Sequence, residues 1–202
     1  LTFTCWGSCS NYFADEYHRY LVEMGFDEVI GYDGQLTDFG QQRIAAESAL
    51  RSNINYIPIG ISRLMGWTAN SKPNSDGIRT PCLRDPEYLA ELGRTVNAVV
   101  ANIADYQPNA YFIGDENSLF MWDIFHDYCH SPRCLAAFRT WLRTRYASLA
   151  ELNAAWQTDF TAWEQVKPLK LAEAQQQRQY ASWIEHRTFM FTALTGAVKT
   201  EY

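Results

Sequence analysis

The sequence lacks the features that identify several common classes of protein. No stretch approaches the roughly 18 apolar residues of a membrane-spanning helix, so we expect no membrane partner. No basic stripe could follow a phosphate backbone, and the net charge of -6 argues against nucleic acid as a partner. No signal peptide is visible. Because the chain starts at Leu1, we expect that its natural start lies upstream or has been removed.

Motifs of several other enzyme classes are also missing. The segment Gly7-Ser8-Cys9-Ser10 follows the first predicted strand, but it does not match the dinucleotide-binding fingerprint. No elbow pattern surrounds Ser8 or Ser10, as a nucleophilic serine would require. Nothing in the sequence orients a histidine toward Cys9. Acidic side chains are therefore better candidates for catalysis.

Cysteine is scarce, and the number of cysteines, five, is odd. An odd number suits a reduced compartment or a metal site better than a complete disulfide framework, and it favours the cytoplasm over secretion. A disulfide between Cys5 and Cys9 has only their proximity in the sequence to support it.

Aromatic residues are abundant, at 15% of the chain with seven Trp and twelve Tyr. They suit either a large packed core or a sugar site, where flat ring faces stack on pyranose CH groups. Composition alone does not choose between these two interpretations.

Strands and helices alternate along the first half of the chain. Hydrophobic patterns predict strands at residues 2–6, 27–32, 55–59 and 110–114, and helices at 12–24, 37–52 and 86–107, with Thr37 as one helix cap. Pro58 predicts an irregularity in the third strand. This order favours parallel strands with right-handed crossovers.

The second half of the chain is predicted to be helical. Helices are expected at 132–146, at 149–156 behind a capping box at Ser148, and as one long helix at 171–198. Four parallel strands would leave an open apolar edge. We therefore interpret residues 1–202 as the N-terminal portion of a (β/α)8 TIM barrel, with its first four strands and helices and a helical excursion at about 117–170. An open α/β sheet is the alternative.

The fourth predicted strand ends abruptly in two acids, Asp115 and Glu116. In a (β/α)8 barrel the carboxyl end of a strand is where the chemistry takes place. A carboxylic acid at this position suggests acid/base catalysis on a sugar bond, with Glu116 as the catalytic residue.

Several segments resemble the β-galactosidases of glycoside hydrolase family 42, which are retaining (β/α)8-barrel enzymes. The segments are CLRDPEY at 82–88, CLAAFRTWL at 134–142 and LNAAW at 152–156. The resemblance extends over roughly residues 79–168, whereas residues 1–78 agree in strand order only.

The resemblance implies that Glu116 is the proton donor of a retaining glycoside hydrolase acting on β-linked sugars. The family has Asn before this Glu, to donate a hydrogen bond to the sugar, whereas Asp115 in ionised form can only accept. The nucleophile would be a Glu outside this chain, and Glu185 and Glu201 are rejected for that role. The alternative is a non-catalytic carbohydrate-binding barrel with a degenerate active site.

The resemblance also implies further substrate contacts and no cofactor for catalysis. Arg79 stands where the family has a substrate-contacting Arg, and Asp115 would contact the sugar directly. Four residues at or just beyond predicted strand ends could form a sugar-facing wall: Trp6, Asp33, Trp67 and Trp122. A homo-oligomer is left open, since many relatives form trimers.

Some members of the family bind zinc through cysteines, and this chain has part of that set. Cys82, Cys129 and Cys134 stand at three of the four positions, Ser131 occupies the fourth, and His130 is adjacent. A structural zinc with three cysteines and one histidine is one interpretation. A decayed site with free thiols and a Cys129–Cys134 disulfide are the others. A zinc-stabilised interaction module is a third hypothesis for function.

Overall fold

The computed structural model describes residues 1–31, 38–58, 76–112, 127 and 129–199. The chain divides into two compact units, which are described separately. The first contains residues 1–67, 90–117 and 201–202, and the second contains residues 68–89 and 118–200.

The first unit contains a parallel sheet of three strands in the order β1-β2-β3. The strands are β1 (Thr4–Trp6), β2 (Glu28–Gly31) and β3 (Asn55–Pro58). The first three predicted strands are therefore confirmed, although β1 begins two residues and β2 one residue later than predicted. Residues 110–112 are not assigned as a strand, although the backbone N–H of Phe112 donates to the carbonyl of Pro58 at 3.1 Å.

Three helices follow these strands, as predicted: α1 (Ala14–Glu23), α2 (Phe39–Arg51) and α3 (Pro86–Ile103). The cap of α2 was predicted wrongly. Asp38, and not Thr37, is the N-cap, and its carboxylate accepts a hydrogen bond from the Gln41 N–H at 3.1 Å. Pro86 occupies the first position of α3, where its missing N–H has no intrahelical partner to lose.

The two faces of the sheet carry separate apolar clusters. Val29 and Tyr56 are neighbours in the sheet register and pack in a cluster with residues of α1 and α2, among them Leu21 and Ala45. The side chains of the next register row point to the opposite face, because successive residues of a strand face opposite sides of the sheet. On that face Ile30 and Ile57 are buried against Phe112, and both faces are apolar, as expected of a parallel sheet.

Gly31 ends β2 at a point where no other residue would fit. A Cβ at this position would lie 2.3 Å from the hydroxyl oxygen of Tyr56 and 2.6 Å from its ring atoms. Gly31 pairs with Pro58, which is the last residue of β3. The proline therefore occupies the end of its strand, where the lost donor costs little.

The second unit is helical, with α4 (Pro132–Leu142), α5 (Leu149–Trp156), α6 (Leu171–Gln177) and α7 (Ala181–Val198). Phe138 is fully buried, and its ring lies 5.3 Å from that of Phe189 and 6.1 Å from that of Trp156. The predicted helix at 149–156 is confirmed. The hydroxyl of Ser148 accepts from the Glu151 N–H at 3.1 Å, while the Glu151 carboxylate accepts from Ala147, one residue before the cap.

The single long helix predicted at 171–198 is wrong. The chain breaks between α6 and α7 at Arg178, whose φ of 56° is left-handed. The start of α7 is held from outside the helix, because the hydroxyl of Ser182 accepts from the backbone N–H of Leu169 at 3.1 Å. The helix predicted at 132–146 ends earlier, at Leu142. No helix among the described residues is both long and apolar enough to cross a membrane.

Candidate functional site

Three cysteine sulfurs meet in the second unit. The Sγ of Cys82 lies 3.4 Å from the Sγ of Cys134 and 3.8 Å from the Sγ of Cys129. All three sulfurs lie within 4.8 Å of one another. Cys129 and Cys134 are completely buried and Cys82 is partly buried. The three cysteines that the sequence analysis grouped therefore meet in the structure, although they are up to 52 positions apart.

Backbone and side-chain contacts position the three cysteines of the cluster. Cys134 lies in the first turn of α4, whose N-cap Ser131 accepts from the Cys134 N–H at 3.1 Å. The same hydroxyl oxygen lies 3.3 Å from the Cys82 sulfur. Cys129 is anchored by its backbone: its N–H donates to the Met190 sulfur at 3.3 Å, and its carbonyl lies 3.2 Å from the Nε2 of His186.

The pKa values of the Cys129 and Cys134 thiols are shifted in opposite directions. Hydrogen bonds from Cys134, Cys82 and Ser131 hold the pKa of the Cys129 thiol far below its usual 9.0. The pKa of the Cys134 thiol is raised, first because it donates to Cys129 and then because of Cys82 and burial. Of these two thiols, that of Cys129 therefore loses its proton at the lower pH.

All five cysteines are free in the structure. The Cys129–Cys134 disulfide considered from the sequence is therefore not formed. The Cys5–Cys9 pairing is not formed either: the Cys5 sulfur lies 3.9 Å from the hydroxyl of Tyr17, and the Cys9 thiol donates to Asn11 at 3.1 Å.

His130 does not join the sulfurs. Among the described residues, only the three cysteines form a group of donor atoms within 4.8 Å of one another. The His130 ring instead packs against that of His186, with centroids 4.8 Å apart and ring planes tilted by 55°. The backbone N–H of His130 donates to the Gly77 carbonyl at 2.9 Å. The interpretation with three cysteines and His130 as ligands is therefore not supported by the geometry.

Asp127 has a role that the sequence did not reveal. Its carboxylate accepts from the Leu171 N–H at 2.9 Å and from the Trp183 indole N–H at 2.8 Å. One acid thereby ties the start of α6 to α7 next to the cysteine cluster. No local motif marks such a contact, because its partners are 44 and 56 residues away.

Arg79 is buried, with only 4% of its surface exposed. Its guanidinium donates to the carbonyl of Pro81. An arginine is rarely buried unless its charge is partnered, and the Pro81 carbonyl is one such partner.

Trp6 lies in the first unit at the carboxyl end of β1, as predicted. Half of its surface is exposed, and its ring meets that of Phe112 edge to face at 5.2 Å between centroids. Both rings therefore belong to the sheet face that carries Ile30 and Ile57.

The remaining predicted site residues lie outside the described residues: Asp33, Trp67, Asp115, Glu116 and Trp122. Glu185, rejected as a nucleophile, lies in α7. Its carboxylate accepts from the hydroxyl of Tyr146 at 2.7 Å, a contact within the helical unit.

The fold is similar to that of the catalytic domain of β-amylase from Paenibacillus polymyxa. The superposition has a TM-score of 0.64 and covers 99% of this chain and 61% of that one, with 14% identical residues. At this identity the likeness concerns the fold alone. It identifies the chain as part of a TIM barrel.

Comparison with protein families classifies the chain more specifically than the fold does. Residues 64–202 match the model of glycoside hydrolase family 42, described as β-galactosidase. Since this match covers more than half of the chain, the chain belongs to that family.

Individual relatives agree with this assignment. The chain is 25% identical over 155 residues to β-galactosidase BgaA of Planococcus sp. strain SOS Orange, covering 71% of this chain and 20% of that protein. It is 37% identical over 89 residues to a β-galactosidase of Thermus thermophilus, covering 44% of this chain and 13% of that protein. The chain thus spans about one fifth or less of the length of these relatives.

Proposed function

We propose that this chain forms the N-terminal part of the catalytic barrel of a retaining glycoside hydrolase that acts on β-linked sugars, as β-galactosidases do. The match to glycoside hydrolase family 42 over residues 64–202 is the observation that carries the proposal. The names of the relatives support β-galactosides as the first substrates to test.

One backbone hydrogen bond favours the fourth strand predicted from the sequence. The hydrogen bond from Phe112 to Pro58 continues the sheet beyond β3, in the order expected of a barrel. Trp6, Ile57 and Phe112 then line the inner face of the barrel, opposite the helices. Glu116 follows Phe112 by four positions, which suits a residue at the carboxyl end of that strand.

In the proposed mechanism, Glu116 donates its proton to the glycosidic oxygen while a Glu outside this chain attacks the anomeric carbon. The bond to the leaving group breaks and a covalent glycosyl-enzyme forms. Glu116, now a carboxylate, takes a proton from water, whose oxygen displaces the nucleophile with net retention. We assign sugar contacts to Asp115 and Arg79, and a sugar-facing wall to Trp6, Asp33, Trp67 and Trp122.

The substitution Glu116→Gln in the full-length protein tests the assignment. We expect hydrolysis of an alkyl β-galactoside, whose leaving group needs protonation, to fall by roughly 10²- to 10⁴-fold. The leaving group of a dinitrophenyl β-galactoside departs without a proton. For this substrate the substitution should therefore slow only the second step, the hydrolysis of the glycosyl-enzyme. Addition of azide to the Glu116→Ala variant should yield a β-glycosyl azide.

Glu185→Gln serves as the matched control, because glutamine can still accept the hydrogen bond from Tyr146. Its rate on both substrates should stay close to that of the parent protein. An unchanged rate of Glu116→Gln on the alkyl glycoside would reject Glu116 as the acid.

Asp115 favours a second candidate, a carbohydrate-binding barrel without activity. Where the family has a donor to the sugar, this chain has an acceptor. Binding of galactose without hydrolysis of either galactoside by the parent protein would support this candidate. Recovery of activity in Asp115→Asn would locate the defect at this residue.

We further propose that Cys82, Cys129 and Cys134 hold a structural zinc ion. The donor set suits it, because three buried sulfurs already lie within 4.8 Å of one another, and thiolates are the ligands zinc prefers in structural sites. Zinc there would supply the charge that lets all three thiols ionise. The three cysteines would then join the segment before α3 to the start of α4.

A further inference from the structure

We propose that the hydroxyl of Ser131 is the fourth ligand of this metal site, so that the ion is held by three thiolates and one neutral oxygen. The inference depends on the zinc proposal above and is independent of the assignment of Glu116. It concerns this chain specifically, because Ser131 stands where a fourth cysteine would complete the set.

The distances from the Cys82 sulfur to the other three atoms suit a tetrahedral ion. With zinc–sulfur bonds of about 2.3 Å and a zinc–oxygen bond of about 2.1 Å, tetrahedral geometry places two sulfurs about 3.8 Å apart and a sulfur and an oxygen about 3.6 Å apart. The Cys82 sulfur lies 3.4 and 3.8 Å from the other two sulfurs. It lies 3.3 Å from the Ser131 oxygen. These three distances differ from the tetrahedral values by a few tenths of an ångström at most.

Ser131 can cap α4 and bind a metal at the same time. A serine hydroxyl has two lone pairs and one proton. One lone pair accepts from the Cys134 N–H at 3.1 Å, and the second remains available to an ion. Ser131 is also buried, with 7% of its surface exposed, so its oxygen competes little with bulk water for this position.

No further histidine, cysteine or acidic side chain among the described residues joins the three sulfurs. His130 is adjacent in sequence, but its ring nitrogens lie outside the group of donors within 4.8 Å of one another. The Nε2 of His130 is buried without a hydrogen-bond partner among the described residues, and its ring is held against His186. Cys5 and Cys9 belong to the first unit.

Substitutions at Ser131 separate the two roles of its hydroxyl. Ser131→Thr keeps both the cap and the oxygen, Ser131→Gly removes the oxygen but remains a tolerated cap, and Ser131→Cys supplies a fourth thiolate. The full chain, reduced and freed of metal, is titrated with Co²⁺ to follow its spectrum. Competition with a chromophoric chelator then gives the Kd for Zn²⁺.

We expect one metal per chain and the charge-transfer absorption of three thiolates in the parent protein. Ser131→Gly should bind Zn²⁺ roughly tenfold more weakly with the same thiolate count, and Ser131→Thr should stay within about threefold of the parent Kd. Ser131→Cys should bind at least about tenfold more tightly, with stronger charge-transfer absorption and shifted ligand-field bands.

Two control variants separate metal binding by Ser131 from the loss of a helix cap and from binding by His130. Ser148→Gly makes the same change at an equivalent cap, that of α5, and should leave the Zn²⁺ affinity unchanged. His130→Asn should also leave it unchanged. A loss of affinity in His130→Asn but not in Ser131→Gly would overturn the inference in favour of the histidine.

Two further results would also overturn it. A Kd of Ser131→Gly equal to that of the parent protein would show that the hydroxyl is not a ligand, while the zinc proposal would stand. A parent protein that takes up no stoichiometric metal would reject both, without bearing on Glu116.

Discussion

Trp6 and Phe112 meet edge to face, with ring centroids 5.2 Å apart and ring planes at 86°. They are separated by more than a hundred residues in sequence, yet they cover the same sheet face as Ile30 and Ile57. This contact connects β1, at one edge of the sheet, with the segment that follows α3.

We expect a measurable coupling between these two rings. A double-mutant cycle with Trp6→Ala and Phe112→Ala, measured by urea unfolding, should give an interaction free energy of about 0.5–1.5 kcal/mol, the usual value for an edge-to-face aromatic pair. The cycle removes the separate contributions of each ring to other contacts. Strict additivity of the two single substitutions would contradict the contact.

Gly31→Ala should destabilise the protein, because the added Cβ would lie 2.3 Å from the Tyr56 hydroxyl oxygen and 2.6 Å from two ring atoms. We expect the free energy of unfolding to fall by about 1–3 kcal/mol, as for overpacking elsewhere. Gly196→Ala is the matched control, because a Cβ on this residue of α7 meets no atom within 4 Å. Alanine there should raise stability by about 0.5–1 kcal/mol. Equal effects at both positions would refute the steric argument.

Stability should depend on pH through His18. This ring is completely buried, its Nδ1 lies 2.8 Å from the Ser48 hydroxyl, and its Nε2 has no partner among the described residues. Burial lowers its pKa from 6.5 to about 4, against a smaller opposing effect of Asp15. Because the unfolded chain binds this proton at a higher pH than the folded protein does, His18 lowers the free energy of unfolding only below pH 6.5. The loss grows as the pH falls and should reach about 3 kcal/mol at pH 4.

The measurement for His18 is the free energy of unfolding between pH 7.5 and pH 4, compared with His18→Gln. The glutamine variant lacks the titrating group, so its stability should fall less over this range. The difference between the two curves isolates His18 from other groups, including His186, which also titrates abnormally. Parallel curves would show that the protonated ring is tolerated in the fold.

Asp127→Ala should loosen the connection between α6 and α7. The substitution leaves the Leu171 N–H and the Trp183 indole N–H without their acceptor. The expected loss is about 1–3 kcal/mol, accompanied by a change in tryptophan fluorescence, because the indole is freed. Asp159→Ala, at an exposed position, is the control and should alter neither property. Unchanged stability of Asp127→Ala would show that its two hydrogen bonds add little to folding.

The sequence alone determined the features that arise from neighbouring residues. Ser148 followed by Glu151 predicted the start of α5, and Asp85-Pro86 predicted the start of α3. Alternating apolar segments predicted β1 to β3. These signals act within one turn of helix or one strand, so they can be recognised without knowledge of the rest of the chain. The similarity of residues 79–168 to glycoside hydrolase family 42 also predicted the family that the comparisons then showed.

Tertiary structure decided what depends on residues that are distant in sequence. The break at Arg178 has no glycine or proline to announce it, and contacts such as that of Ser182 with Leu169 fix the new helix start. The three cysteines were predicted as a set. Only the fold, however, placed the Ser131 hydroxyl beside the Cys82 sulfur and turned the His130 ring toward His186. Local sequence specifies which helices and strands form, whereas the directions of buried side chains follow from how those elements pack.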